Sequence, residues 1–256
     1  MKNPQSRSII THLSRVDPVL GAVIRAAGPY TMIPDLSCPP FQSLARDITF
    51  QQLNGTAAST ILKRFIVACG PEKFPAPKTV LAMPDAQLRA AGLSFAKIAA
   101  LKDLAAKTIE GIVPDRKTLT ALDNEEIIER LTQVRGIGRW TVEMMLMFQL
   151  GRPDILPVDD FGVRAGFQKA YGLRKMPAPK ALAAYGERWK PHRSAAAWYL
   201  WRAIELSRAG KLPAPTEIIR MPRIVKKRKK KKLKPPSSPS VFRKRPGPSG
   251  QRKRAR

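Results

Sequence analysis

Residues with metal and redox chemistry are scarce in this 256-residue chain. It has two cysteines, Cys38 and Cys69, and two histidines, His12 and His192. Two cysteines are too few for a disulfide scaffold, a four-cysteine zinc site or a four-cysteine iron–sulfur cluster. Two histidines are too few for a His-built metal site. The expectation is a pair of buried free thiols and a cytosolic or nuclear type of compartment. Acids are scarce as well: 19 Asp and Glu stand against 47 Lys and Arg. No apolar run approaches the roughly 18 residues that would span a bilayer. The N-terminal MKNPQSRSIITHLSR lacks the apolar stretch of a secretory signal.

A hydrophobic fraction of 43% is enough for a sizeable core. The formal net charge of +28 calls for a polyanionic partner, nucleic acid before an anionic membrane. That charge is unevenly spread. Residues 223–256 hold 16 Lys and Arg and no acid, which leaves +12 on residues 1–222. The tail mixes basic blocks with Pro, Ser and Gly, so it is expected to be disordered. It reads as a sequence-independent phosphate-binding arm, as a nuclear-localisation-like signal in a eukaryote, or as a solubilising extension.

Residues 1–222 read as one all-α domain, helix after helix, without strand-like alternation or internal repeats. Helical spacing and end signals predict segments 8–15, 18–27, 41–66 broken at Asn54-Gly55, 79–81, 84–91, 94–110, 118–122, 124–134, 139–150, 160–171, 179–189 and 194–209. Ser94 is an N-cap candidate, as is Asp123 or Asn124 with Glu125 and Glu126 in the first turn.

Between segments 124–134 and 139–150 lies a loop in which Gly136 and Gly138 flank Ile137. Glycines let the backbone turn tightly and approach a ligand closely. They leave the first amides of the second helix without a side-chain cap, which makes an anion site fit for a phosphate. Ile137 fills the gap between the helices. This is a helix-hairpin-helix pattern; the alternative is a hairpin whose glycines serve turning alone. Downstream, ILPVDD places Asp159 and Asp160 before the next helix. Capping needs one carboxylate. The other is free to project into a cleft, to stabilise developing cationic charge or to activate water.

Together, LTQVRGIGRWTVEMMLMF, ILPVDD, ARDITFQQLNGTAASTILKRF, GLSFAKIAALKDLA and PHRSAAAWYLW resemble the helix-hairpin-helix DNA glycosylases. Within them the chain is most similar to the alkylation-repair branch, DNA-3-methyladenine glycosylase II. The resemblance covers roughly 41–201 and implies a bilobal helical fold with hairpin and aspartate at the mouth of a cleft. It implies flipping of a damaged nucleotide and hydrolysis of its N-glycosidic bond, in base excision repair. The expected catalytic residue is Asp160, with Asp159 as alternative; Asp159 would otherwise be the helix cap or a neighbour of the sugar. Trp140 stands where lyase-competent relatives carry a Schiff-base lysine, so a monofunctional enzyme is expected. Trp140, Met144 and Trp201 are expected to line the base pocket. Gln52, Leu53 and Asn54 match the wedge that enters the duplex. Gly136, Ile137, Gly138 and Thr141 match the phosphate-binding hairpin. Carbonyls of Thr132, Val134 and Ile137 would hold a monovalent cation, Na+ or K+.

No cofactor is expected to be required, neither iron–sulfur cluster nor zinc. The chain departs from relatives that carry a mixed α+β N-terminal domain, since only about 40 residues precede Phe41. The expected partner is double-stranded DNA with alkylated bases, 3-methyladenine and 7-methylguanine foremost. A monomer acting ahead of abasic-site repair enzymes is expected, in the cytoplasm or nucleoid of a bacterium or the nucleus of a eukaryote. Two alternatives stay open: a glycosylase for hypoxanthine or ethenoadenine, and a non-catalytic DNA-binding protein.

Removing residues 223–256 is expected to weaken duplex binding and flatten its salt dependence, because fewer counterions are released. Lesion preference is expected to stay unchanged. Filter-binding titrations across a salt series check both.

Overall fold

The protein is described by a computed structural model over residues 6–70, 74–217, 219 and 221. The basic tail, and the domain boundary placed after residue 222, lie outside these residues. The described residues are helical and contain no strand. The helices are α1 (Ser6–Val16), α2 (Pro18–Ala27), α3 (Pro40–Phe50), α4 (Gly55–Cys69), α5 (Pro77–Ala82), α6 (Asp85–Ala90) and α7 (Phe95–Ile109). They continue with α8 (Arg116–Ala121), α9 (Asn124–Leu131), α10 (Arg139–Phe148), α11 (Phe161–Ala170), α12 (Pro179–Gly186) and α13 (Arg193–Arg208).

The ends of these helices follow local chemistry. Asp123 caps α9 in a full capping box, its carboxylate taking the Glu126 amide while Glu126 takes the Asp123 amide. Ser94 caps α7. Asn54 caps α4 and so splits the long segment 41–66 where Asn54-Gly55 predicted a break. Some helices start up to two residues earlier than predicted, as α5 and α8 do, and the larger differences sit at C-termini. The segment predicted to run to 134 ends at Leu131, because the tight turn into the hairpin begins there. The segment predicted to reach 189 ends in a 3-10 turn, Glu187–Trp189.

The helices pack as two lobes on one continuous core. Helices α3–α7 pack together, and the α9–α10 pair joins them through α3. The second lobe is built from both ends of the described chain: α1 and α2 pack with α11, α13 and the 3-10 turn. Asp17 ties this lobe together. It is fully buried, and one carboxylate oxygen caps α2 through the Leu20 amide at 3.0 Å. Its other oxygen accepts the Tyr171 hydroxyl at 2.6 Å and the Trp189 indole N–H at 2.8 Å. Burial and the Asp17 charge hold the Tyr171 hydroxyl well above its ordinary pKa. Cys38 and Cys69 are free but only half-buried, a correction to the expected buried pair.

Helices α11 and α13 approach so closely that only glycine fits at position 166. A Cβ there would lie 1.9 Å from the Leu200 carbonyl oxygen. Gly166→Ala is expected to destabilise the fold by about 3 kcal/mol in urea titrations, since backbone and not a flexible side chain blocks the methyl. Gly55→Ala, with nothing within 4 Å of the added Cβ, is expected to stay within about 0.5 kcal/mol.

Candidate active site

The loop that delivers the acidic pair is clamped by the start of α13. The Arg193 guanidinium grips the Asp154 carboxylate at 2.8 and 3.0 Å. The Ser194 hydroxyl donates to the Arg152 carbonyl at 2.6 Å and accepts the Ile155 amide at 3.0 Å. The Ser194 amide donates to the Pro153 carbonyl at 3.0 Å. Leu156 and Pro157 are buried beyond this clamp, and the Asp160 amide closes a turn onto the Pro157 carbonyl at 3.0 Å. Arg193 and Ser194 in PHRSAAAWYLW thus serve the loop that carries Asp160.

Three N–H donors from three helices converge on Asp160. The Val163 amide in the first turn of α11 donates to Oδ1 at 2.6 Å. The Trp201 indole of α13 donates to the same oxygen at 2.9 Å. The Trp140 indole of α10 donates to Oδ2 at 2.8 Å. A carboxylate has about four acceptor positions, so one remains, on Oδ2. Asp160 is therefore itself the cap of α11, which corrects the expectation that Asp159 takes that role. Asp159 is exposed and borders a different cleft, together with Glu125, Arg139, Glu143 and Arg193.

Trp140 and Met144 share a cavity of about 480 Å³ with Asp47, Phe50, Gln51, Gln52 and Thr141. Trp140 is 47% exposed, so one indole closes the cavity and also holds Asp160. Trp201 is not among the cavity's lining residues, contrary to expectation. Its ring stacks on Phe148 with centroids 5.8 Å apart, and its N–H fixes Asp160. The Thr141 side chain is buried in the cavity lining, which leaves its main-chain amide to the hairpin.

Gln52, Leu53 and Asn54 form the turn between α3 and α4. The Leu53 amide returns to the Phe50 carbonyl at 3.3 Å, and Gln52 has φ 57°. A non-glycine residue in that left-handed region costs about 1–2 kcal/mol. Gln51 holds the turn in place by donating from Nε2 to the Gly136 carbonyl at 2.9 Å, so the turn is joined to the hairpin. Gln52 is exposed and Leu53 is 40% exposed. Asn54 differs from expectation: its Oδ1 is used as the α4 cap, accepting the Ala57 amide at 2.9 Å.

In the hairpin, Gly136 has φ 79° and Ile137 is buried. Gly138 starts α10 with no side-chain cap, which leaves first-turn amides available to an anion. The Thr132 and Ile137 carbonyls accept no backbone amide among the described residues, whereas the Val134 carbonyl accepts the Ile137 amide at 3.1 Å.

The comparisons with known proteins agree with this geometry. The family model described as HhH-GPD superfamily base excision DNA repair protein matches residues 45–192. The chain belongs to the HhH-GPD superfamily. It is 40% identical to DNA-3-methyladenine glycosylase 1 of Schizosaccharomyces pombe over 77% of this chain and 86% of that one. The solved S. pombe 3-methyladenine DNA glycosylase in complex with abasic DNA superposes with a TM-score of 0.69 at 39% identity, covering 78% of this chain and 98% of that chain. A Bacillus halodurans DNA-3-methyladenine glycosidase structure gives 0.71 at 33% identity, covering 78% and 91%.

Three features of this HhH-GPD chain escaped sequence reading. Gly162 is one: a Cβ there would lie 2.8 Å from Trp201 Cδ1 and 3.1 Å from Asp160 Oδ1. Phe161, beside Asp160, is another, a large apolar side chain that is 73% exposed. Glu143 on α10 is the third. It is buried, with the Arg139 guanidinium 3.7 Å away. Burial pushes its carboxyl from the ordinary 4.5 up to about 7, against the pull of Arg139 and helped by the Asp159, Glu125 and Asp160 charges.

A carboxyl with a raised folded pKa binds its proton in the folded state before the unfolded one does. Its contribution therefore destabilises the fold as pH rises from about 4.5 through about 7. Glu143→Gln is expected to flatten that decline and to gain about 1–2 kcal/mol above pH 7 relative to the parent. Urea titrations at pH 5 and pH 8 check this, with the difference between variants growing toward pH 8.

Proposed function

We propose that this chain is a monofunctional DNA glycosylase that releases alkylated purines, 3-methyladenine and 7-methylguanine foremost, from duplex DNA in base excision repair. The observation that carries the reading is Asp160, held by two indoles and a helix terminus beside a cavity lined by Trp140. A non-catalytic DNA-binding protein would need Asp160 only as the cap of α11, which does not call for an acceptor position left open beside the cavity. The names of the relatives and their solved structures support the same substrate class.

Alkylation at N3 or N7 makes a purine cationic and a good leaving group. The C1′–N bond breaks with its electron pair going to the base, which leaves neutral. Positive charge passes to the sugar, and Asp160, with its free Oδ2 position, stabilises that charge. Water adds to C1′ and gives up a proton. Trp140 and Met144 receive the flipped base, an aromatic face against an electron-poor ring. Gln52 and Leu53, at the strained turn, fill the gap left in the duplex. The Gly136-Ile137-Gly138 hairpin grips a phosphate through main-chain amides. The open Thr132 and Ile137 carbonyls, with that of Val134, fit a monovalent cation that would tie the hairpin to that phosphate. The cavity lining holds no lysine, in keeping with an enzyme that does not cut the strand. Among the described residues no helix is long and apolar enough to cross a membrane.

Asp160→Asn is expected to lower base release from methylated duplex by about 10²–10³-fold. Duplex affinity is expected to change about 3-fold or less. Asn still caps α11, although its amide faces one of the two indole donors. Asp159→Asn is expected to keep most of the activity. Release by Asp160→Asn at the parental rate would overturn the assignment.

A further inference from the structure

We propose that Asp47 selects cationic bases: its carboxylate, set in the wall of the cavity behind Trp140, attracts the positive charge of an alkylated purine and disfavours entry of a neutral one. This inference rests on the reading of that cavity as the base pocket.

Asp47 and Phe50 lie at i and i+3 in the last turn of α3, Gln51 is its C-cap residue, and all three line the cavity. The other lining groups are aromatic, amide, thioether and the Thr141 hydroxyl, so Asp47 is the one acid among them. Among the described residues no hydrogen bond or ion pair reaches its carboxylate. The nearest cation in sequence, Arg46, is exposed and lies over the Phe50 ring, 5.3 Å from its centroid. The carboxylates that are held in place in this protein look different. Asp17 and Asp160 each accept three N–H or O–H donors. Asp47 is half-buried and accepts none; burial pushes its carboxyl up to about 6, against the pull of the Arg46 charge. A half-buried acid without a hydrogen-bonded partner is an electrostatic demand only partly met. A cation arriving in the cavity meets it; a neutral purine leaves it unmet and displaces the water that remained.

Timing along the reaction separates this role from that of Asp160. The flipped alkylpurine is cationic only while the C1′–N bond is intact. As the bond breaks, the base becomes neutral and the attraction to Asp47 disappears. An interaction stronger in the ground state than in the transition state tightens binding and does not raise kcat. Asp47 is therefore a selectivity residue, and its removal is read in KM.

The full-length chain and its Asp47→Asn variant are assayed on a duplex with a single 7-methylguanine. The same duplex with hypoxanthine at that site serves as competitor. Asn is nearly isosteric and removes the charge, keeping one carbonyl acceptor and exchanging the other oxygen for an amide donor. The expected result is a rise of about tenfold in KM for 7-methylguanine with kcat equal or higher, while Ki for the hypoxanthine duplex rises far less or falls. Asp47→Glu is expected to recover part of the lost selectivity. Equal weakening toward both duplexes overturns the proposal, as does a loss confined to kcat, or an Asn variant that selects as the parent does. If the parent releases no methylated purine, the glycosylase reading falls and this one with it. If the parent does and the ratio of KM to Ki is unmoved by Asp47→Asn, this one falls alone.

Discussion

The site depends on how one carboxylate is held. Asp160 takes its three donors from α10, α11 and α13, so two lobes and three helices must agree on its position to within the length of a hydrogen bond. That requirement propagates outward. Gly162 must lack a side chain because Trp201 and Asp160 occupy the space a Cβ would need. Gly166, one turn on, must lack one because α13 has to come close enough to deliver Trp201. The Arg193–Asp154 pair and Ser194 then pin the incoming loop to the same helix. Helix α13 thus supplies the clamp at one end and the indole donor two turns later.

A fixed anion suits a chemistry in which the charge to be stabilised appears on a sugar brought from outside. A group that had to reorient toward that charge would spend part of its stabilisation on reorganisation; Asp160 is already bonded in place. The cavity and the phosphate grip are coupled to it in the same way. Trp140 closes the cavity and bonds Asp160, while Gln51 joins the wedge turn to the Gly136 carbonyl. The strain at Gln52 is tolerable because the Asn54 cap and the Gln51 bond hold the turn from both sides.

Much of this was legible in the residues. Helical spacing, Asn54-Gly55 and the Asp123 and Ser94 caps located the elements to within a few residues, since short-range chemistry decides helix starts. Helix C-termini were less legible, because α9 yields to the hairpin turn for tertiary reasons. Asp159 and Asp160 are the instructive case, because a capping carboxylate is not used up by capping. Oδ1 of Asp160 caps α11 and Oδ2 faces Trp140, so a single side chain does both. Trp201 and Thr141 were placed near the site, but their contacts depend on which way each helix is rotated about its axis. Asp47 and Glu143 gave no signal, for a lone acid on an amphipathic helix reads as a solvent-facing residue. Only the packing of α3 and α10 makes them desolvated.

The charge of +28 is therefore a poor guide to where the chemistry lies. Long-range attraction for DNA comes from the cations, and it treats every phosphate alike. Discrimination needs negative charge at short range, where the low-dielectric walls of a cavity make it effective. In the proposed reading, two carboxylates at different stages of one bond cleavage accomplish this without conflict: Asp47 would meet the cation while the charge is on the base, and Asp160 once the charge is on the sugar. Had one carboxylate been placed to serve both, it would have stabilised the bound lesion as much as the transition state, and tighter binding would have come with no gain in rate.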